Sequence, residues 1–332
     1  MQPVRWGILS TAKIGRTKVA PGMMKSPLCD VAAVASRDEG SARAMAEELG
    51  IAKAYGSYEA LLADPDIEAI YNPLPNHLHV PMTLAAAAAG KHVLCEKPIA
   101  VTASEAEQLR QAASQVLIAE AFMVRHHPQW QRARDIIRSG DIGEPRAIQV
   151  AFSYFNVDPG NIRNKADIGG GGLLDIGCYA VVTGRYVFEA EPLRVVTLMD
   201  RDPAFGVDRT ASALLDFGAG RQLAFTVSTQ AVPYQRVQIL GTRGRIEIEI
   251  PFNAPPDAPT RILVDDGSAH GNRSARAIEF PATDQYQLQG EAFSRAIRGA
   301  GPLDYGLDDA VLNMRILDAL RQSEASAAWE RV

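Results

Sequence analysis

Cysteine is scarce in this chain: Cys29, Cys95 and Cys178 are the only three among 332 residues, and no two are close in sequence. That scarcity excludes a disulfide-stapled scaffold and any Cys-x-x-Cys metal or redox motif, and it fits reduced thiols. Basic charge is not in excess either. With 34 basic and 39 acidic residues the net charge is -5, so nothing draws the chain generally to nucleic acid or anionic lipid. No basic cluster stands out locally. The opening "MQPVRWGILS" turns apolar at once, with neither a basic leader nor a small-residue cleavage site. Neither a signal peptide nor a spanning helix is expected, and the cytoplasm is the default location. No internal repeat or low-complexity block occurs.

What is present is an ordinary soluble composition, 47% hydrophobic and 22% charged, in a chain long enough for two domains with separate cores. Over the first 120 or so residues the hydrophobic period alternates between strand and helix. "VRWGIL", "CDVAAVAS", "KAY", "IEAIYNPL" and "KHVLCE" read as strands. "KIGRTKVAPGMMKS", "DEGSARAMAEELG" closed by Gly50, "SYEALLADP", "HVPMTLAAAAAG" and "SEAEQLRQAAS" read as helices. That order predicts right-handed crossovers and a parallel sheet with ligands beyond the carboxyl ends of its strands. After the helical "FMVRHHPQWQRARDIIRSG", β-rich segments joined by "FGAGR" and "GTRGR" predict a mainly antiparallel sheet, and "GLDDAVLNMRILDALRQSEASA" a closing helix. The expected architecture is α/β: a Rossmann domain over residues 1–121 and an α+β domain with a large open sheet over 122–332.

Several stretches bear chemistry. In "GILSTAKIG" the dinucleotide fingerprint G-x-G-x-x-G falls on Ser10-x-Ala12-x-x-Gly15. Only the third glycine is kept, so the segment is either a pyrophosphate turn or an ordinary strand-to-helix turn. At the end of the second strand, "ASRD" offers Ser36 and Arg37. Arginine suits a ribose 2'-phosphate, hence NADP, while Asp38 leaves NAD open or caps a helix with Arg37 solvated. The fourth strand ends in "NPLPNHLH", where Pro73 and Pro75 stop the ladder. His77 and His79 stand two apart, off a common helix face, and like His126 and His127 they read as capping or surface residues rather than metal ligands. The fifth strand ends on Glu96-Lys97-Pro98, with Lys97 held extended before the proline. "NKADIGGGGLLDIGCYAVV" carries four glycines, Gly169 to Gly172, and then Asp175 and Tyr179 at a spacing that shares a helix face. The glycine run suggests either close backbone approach to a ligand or a flexible loop. No neighbour activates Cys178, which reads as core.

Taken in order, "GILSTAKIG", "ASRD", "AGKHVLCEKPIA", "EAFMVRHHPQ" and "GGGGLLDIGCY" resemble the Gfo/Idh/MocA family of NAD(P)-dependent oxidoreductases. The likeness is greatest to its glucose-fructose oxidoreductase, dihydrodiol dehydrogenase and NADP-dependent aldose dehydrogenase branch. The resemblance implies that Lys97, Asp175 and Tyr179 line the substrate site. Tyrosine stands where other branches carry a histidine acid/base. It also implies a sheet face used for dimerisation. A free phenol titrates at about 10, so a cationic Lys97 would be needed to favour the phenolate while Asp175 orients a sugar hydroxyl and Glu96 fixes its loop. The residues expected to hold the cofactor are Ser10, Thr11, Ala12, Lys13, Ile14, Ser36, Arg37, Asn72, Pro73, Leu74, Asn76, His79, Glu96, Lys97 and Arg163, with NADP the expected cofactor and no metal. Arg163 reads equally as a surface ion pair. The expected reaction is hydride transfer to NADP from an aldose at its anomeric carbon. The alternatives are a trans-dihydrodiol or another non-sugar substrate, or a nucleotide sensor without turnover.

Overall fold

The computed structural model describes residues 1–332, which form two compact units: Met1–His126 with Asp284–Met314, and His127–Thr283 with Arg315–Val332.

In the first unit six parallel strands lie in the order β3-β2-β1-β4-β5-β6. They are β1 (Val4–Leu9), β2 (Cys29–Ala35), β3 (Lys53–Tyr55), β4 (Ala69–Asn72), β5 (His92–Cys95) and β6 (Ile118–Glu120). The helices are α1 (Ala20–Met23), α2 (Glu39–Leu49), α3 (Tyr58–Leu62), α4 (His79–Ala88) and α5 (Ala103–Glu107). The order reverses between β1 and β4, which places a ligand crevice at the carboxyl ends of those strands. Helix starts follow their caps: Asp38 accepts from the Ser41 N–H at 2.5 Å, Ser57 from Ala60 and Thr102 from Glu105. α2 ends at Gly50 in the left-handed region, φ 72°, as the sequence predicts.

Three features depart from the sequence reading. The strand β6 was not among the expected elements. It is three residues long, and the helix expected over "SEAEQLRQAAS" stops at Glu107 and continues as turns and a 3-10 segment. Helix α8 (Gln285–Ile297), also unread in the sequence, belongs to the first unit, so residues 284–314 do not stay with the second domain. The reason is its apolar face. Phe293 tilts against the fully buried Trp6 with centroids 5.6 Å apart, and the Trp6 indole donates to Ser294 Oγ at 3.2 Å. Burying rings of this size contributes roughly 1.5–3 kcal/mol each. The contacts accordingly divide the chain at 126/127, not 121/122.

The second unit holds nine strands in the order β14-β13-β12-β11-β7-β10-β9-β8-β15. They are β7 (Pro145–Phe155), β8 (Arg194–Arg201), β9 (Asp208–Asp216), β10 (Gln222–Ser228), β11 (Gln230–Gly241), β12 (Arg245–Ile248), β13 (Thr260–Asp265), β14 (Arg276–Phe280) and β15 (Glu330–Arg331). All pairings are antiparallel except β7 with β10. Its helices are α6 (Pro128–Arg138), α7 (Cys178–Phe188) and the greater part of α9 (Leu307–Ser326), inside which the division between units falls. Side chains alternate with period two. Leu223, Phe225 and Val227 of β10 and Ile148, Val150 and Phe152 of β7 are buried, while the opposite face presents Thr226, Ser212, Leu214 and Leu198, the last 77% exposed. No helix in either unit is long and apolar enough to cross a membrane.

Candidate active site

In the first unit the expected cofactor residues gather where the strands end. Ser10 closes β1 with φ 82°, the left-handed conformation that the first glycine of the fingerprint ordinarily supplies. Its hydroxyl accepts from the Ala12 N–H at 3.2 Å, so the side chain that strains the turn also ties it. Thr11 and Ala12 follow half-buried, and the helical run that begins at Lys13 and Ile14 passes through a π-type turn, Gly15–Val19, before α1. Beyond β2, Ser36 accepts from the Asp38 N–H at 3.2 Å and Asp38 caps α2. Capping therefore falls to Asp38, leaving Arg37 exposed beside Tyr58. A small-residue turn entering a helix, with a guanidinium at the end of the next strand, is the donor set that a dinucleotide with a 2'-phosphate requires.

After β4, the Asn72 amide spans His79 O and Thr83 Oγ1 and accepts from the Leu74 N–H at 3.3 Å, fixing the bend through the buried Pro73 and Leu74. Asn76 is half-buried and His77 exposed. His79 is neither a cap nor a surface residue. As the first residue of α4 it turns inward and is 1% exposed, with Nδ1 2.6 Å from Pro98 O and Nε2 2.6 Å from Leu74 O. Burial pushes its imidazolium down, to about 4, against two carbonyls that favour it. The ring ties the loop after β4 to the loop after β5, and both nitrogens are engaged by backbone. The second histidine pair splits: His127 is buried and caps α6, accepting from the Gln129 N–H, while burial pushes the largely enclosed His126 down, to about 4.

The Glu96-Lys97-Pro98 stretch leaves β5 with a cis Lys97–Pro98 bond and both charged side chains half-buried. Tyr71 Oη donates to Glu96 Oε1 at 2.6 Å, and Glu96 Oε2 accepts from the Lys97 N–H at 3.2 Å. Burial, then the charge of Glu96, holds the Tyr71 phenol well above its ordinary range, so it remains a donor. The buried Glu120 accepts from the Ile99 N–H at 2.8 Å, anchoring the far side of the loop. Neither Tyr71 nor Glu120 carries a sequence signal separating it from other strand-end residues.

In the second unit Asp175 lies in a π-type turn, Leu173–Gly177, and Tyr179 in the first turn of α7. A shared face at four-residue spacing requires an unbroken α-helix; the structure instead puts the pair across a helix irregularity of the kind frequent at functional sites. Tyr179 is 5% exposed, its ring against Phe152 (centroids 5.8 Å apart) and Phe252 (5.2 Å). Asp175 Oδ2 accepts from Tyr154 Oη at 2.6 Å and lies 2.8 Å from Arg163 Nε. Arg163 is therefore ion-paired with Asp175. Tyr154 was missed, although "AIQVAFSYF" holds the signal: it continues the parity of Ile148, Val150 and Phe152, so a phenol ends the core face of β7.

The glycine run approaches the chain itself. A Cβ on Gly170 would lie 2.6 Å from both Arg163 O and Lys165 O, and one on Gly171, at φ 111°, would overlap the Asp208 carboxylate. Gly171 N–H donates to Arg163 O and Gly170 N–H to Lys165 O, both at 2.9 Å. The loop bearing Arg163 is thus stitched to the start of the helix bearing Asp175. Asp208, pushed up by burial, accepts from the Leu173 N–H at 2.5 Å. Cys178 is fully buried, as its core reading requires.

Family models match both parts of the chain. Residues 4–118 match the GFO/IDH/MocA oxidoreductase family, NAD-binding Rossmann fold, and residues 130–247 the GFO/IDH/MocA C-terminal domain. An uncharacterized oxidoreductase of Rhizobium meliloti is 47% identical, covering 100% of both chains. A D-xylose 1-dehydrogenase (NADP+) of Haloferax volcanii is 39% identical over 98% of this chain and 99% of its own. Among solved structures, a 3-ketoreductase from Actinomadura kijaniata in complex with NADP and TDP-benzene superposes with a TM-score of 0.89 at 30% identity, covering 97% of this chain and 98% of that one.

Proposed function

Because the chain belongs to the GFO/IDH/MocA family and is an NAD(P)-dependent, sugar-related oxidoreductase binding NADP, we propose that it oxidises an aldose at its anomeric carbon. In this reading Tyr179 takes the hydroxyl proton, Lys97 supplies the positive charge that favours the phenolate, and Asp175 receives a neighbouring sugar hydroxyl. The nicotinamide, when bound, supplies the hydride acceptor. The Ser10–Ile14 turn and Ser36 would hold its phosphates and Arg37 the 2'-phosphate. Asn72, Pro73, Leu74 and Asn76 would border its ribose, with Arg163 a further contact. His79 and Glu96 would act by holding the loops. The observation that carries the reading is the place of Lys97: half-buried, on a loop held by Tyr71 through Glu96, by His79 and by Glu120, beyond the carboxyl end of β5.

The test is the nicotinamide absorbance change with NADP or NAD against aldoses, polyols and trans-dihydrodiols. Turnover with NADP and an aldose, falling about 10²–10⁴-fold in both Tyr179→Phe and Lys97→Ala, is the expected result. Activity nearly unchanged in Lys97→Ala would sink the mechanism, and oxidation of dihydrodiols alone would move the substrate class. A second copy of the chain on the open face of the nine-stranded sheet is the partner this reading assigns. Light scattering should give a dimer that Leu198→Arg with Leu214→Arg reduces to monomer. Three buried free thiols suit a reducing, cytoplasmic setting.

A further inference from the structure

We propose that Tyr154 is a specificity-determining positioning residue that sets the orientation of the Asp175 carboxylate, and through it which substrate hydroxyls are recognised; this rests on the reading of Asp175 as a hydroxyl acceptor. Two donors of different kinds converge on one oxygen of Asp175: the neutral phenol of Tyr154 at 2.6 Å and the guanidinium of Arg163 at 2.8 Å. They come from different parts of the fold. Tyr154 stands near the end of the central strand β7, one residue past its last pairing with β10 and within the irregular stretch of its pairing with β11. Arg163 sits on a short 3-10 turn, Ile162–Asn164, its side chain 41% exposed, while that of Asp175 is only 12% exposed.

The two donors are not equivalent. Water screens the attraction of a guanidinium that exposed, whereas burial and the neighbouring charge of Asp175 push the Tyr154 phenol far up, so it donates at every working pH. Phe152, two residues before it on the same face, packs against the Tyr179 ring. One strand therefore positions the proton-accepting phenol by packing and the hydroxyl-accepting carboxylate by a charge-assisted hydrogen bond. A carboxylate that has lost its fixed donor turns more freely and discriminates hydroxyl positions less well, because recognition of a hydroxyl depends on its acceptor lying in a fixed place.

The experiment compares wild type with Tyr154→Phe, which keeps the ring, using NADP with D-xylose and its 2-deoxy and 3-deoxy derivatives, together with a crystal structure of the variant. The preference for xylose over whichever deoxy derivative lacks the recognised hydroxyl should shrink about tenfold or more in kcat/KM. The deoxy substrate should be nearly unaffected and Asp175 turned from its wild-type position. An equal fall on all three sugars, an unchanged preference, or an Asp175 that keeps its position overturns the proposal. If wild type turns over none of the sugars, the aldose reading fails, and the position of Asp175 in the variant crystal still decides this one.

Discussion

Alanine substitution along Gly170–Gly172 should give two opposite answers from three adjacent glycines. At Gly171 an added Cβ meets the Asp208 carboxylate, and the backbone stands at φ 111°. Holding alanine in so sparsely populated a region costs about 1–3 kcal/mol. Displacing Asp208 forfeits its bond to the Leu173 N–H, about 1.5–3 kcal/mol for a charged acceptor. The expected loss is therefore about 3–5 kcal/mol, a fall in thermal midpoint on the order of 10 °C for a domain of this size. Gly170→Ala should be comparably damaging, because the atoms 2.6 Å from its Cβ are the backbone carbonyls of Arg163 and Lys165, which have no rotamer to escape into. Gly172 has helical angles, φ -71° and ψ -34°, and its nearest neighbour stands at 3.4 Å, an ordinary contact. Gly172→Ala should be neutral or stabilising by up to about 1 kcal/mol. Differential scanning calorimetry reads all three. In an Asp208→Ala background, Gly171→Ala should lose much of its cost, since the two effects share one contact. Equal midpoints across the series would refute the reasoning and make the run a pliable linker.

Ser10 stands in the left-handed region at φ 82°, which costs a side chain about 1–2 kcal/mol against about 0.5–1.5 kcal/mol from its bond to the Ala12 N–H. Ser10→Gly should unfold at or above the wild-type temperature, and β-branched Ser10→Val several degrees below it; the opposite order would remove the strain argument. Arg37→Glu should lower the NADP-to-NAD ratio of kcat/KM by about 10–100-fold, read beside fluorescence titration with NADPH and NADH, and an unchanged ratio would take the 2'-phosphate away from Arg37. Asp265 accepts from Ser274 Oγ, Arg245 and the Gly267 N–H, and with Ser274 first among these its carboxyl is lowered to about 2. Its folded value lies below the unfolded one, so its contribution is complete above about pH 4 and is lost as pH falls from about 4 through about 2. Urea unfolding across that window should be flatter for Asp265→Asn than for wild type.

The parallel sheet was legible because its signals are local. Strand and helix periods alternate, Gly50 ends α2 where a left-handed residue is needed, and turn residues separate the β-rich segments. What escaped was set by partners far away in the chain. Nothing within "QYQLQGEAFSRAI" says that its Phe293 will lie against Trp6, nearly three hundred residues earlier, and so the membership of residues 284–314 in the first unit is not legible in the sequence. β6 is three residues long, as is β3, whose "KAY" is legible as a strand, so its length alone does not account for its being missed.

The candidate site divides along the same physical line. Groups that would touch a substrate or cofactor sit in recognisable short motifs, and so Lys97, Asp175, Tyr179 and Arg37 can be named from sequence. The groups that hold them are dispersed: Tyr71 reaches Glu96 across 25 residues, Glu120 reaches Ile99 across 21, and Tyr154 reaches Asp175 across 21. His79 shows how far spacing alone misleads. A two-residue offset from His77 argues against a shared helix face, yet no such face is involved, because a 3-10 turn precedes α4 and rotates His79 inward between two loops. Both π-type turns, Gly15–Val19 and Leu173–Gly177, also follow candidate motifs that contain glycine or small residues. An extra residue in a helical turn changes which side chains share a face, and face assignments made at four-residue spacing are least secure where the chain carries its chemistry.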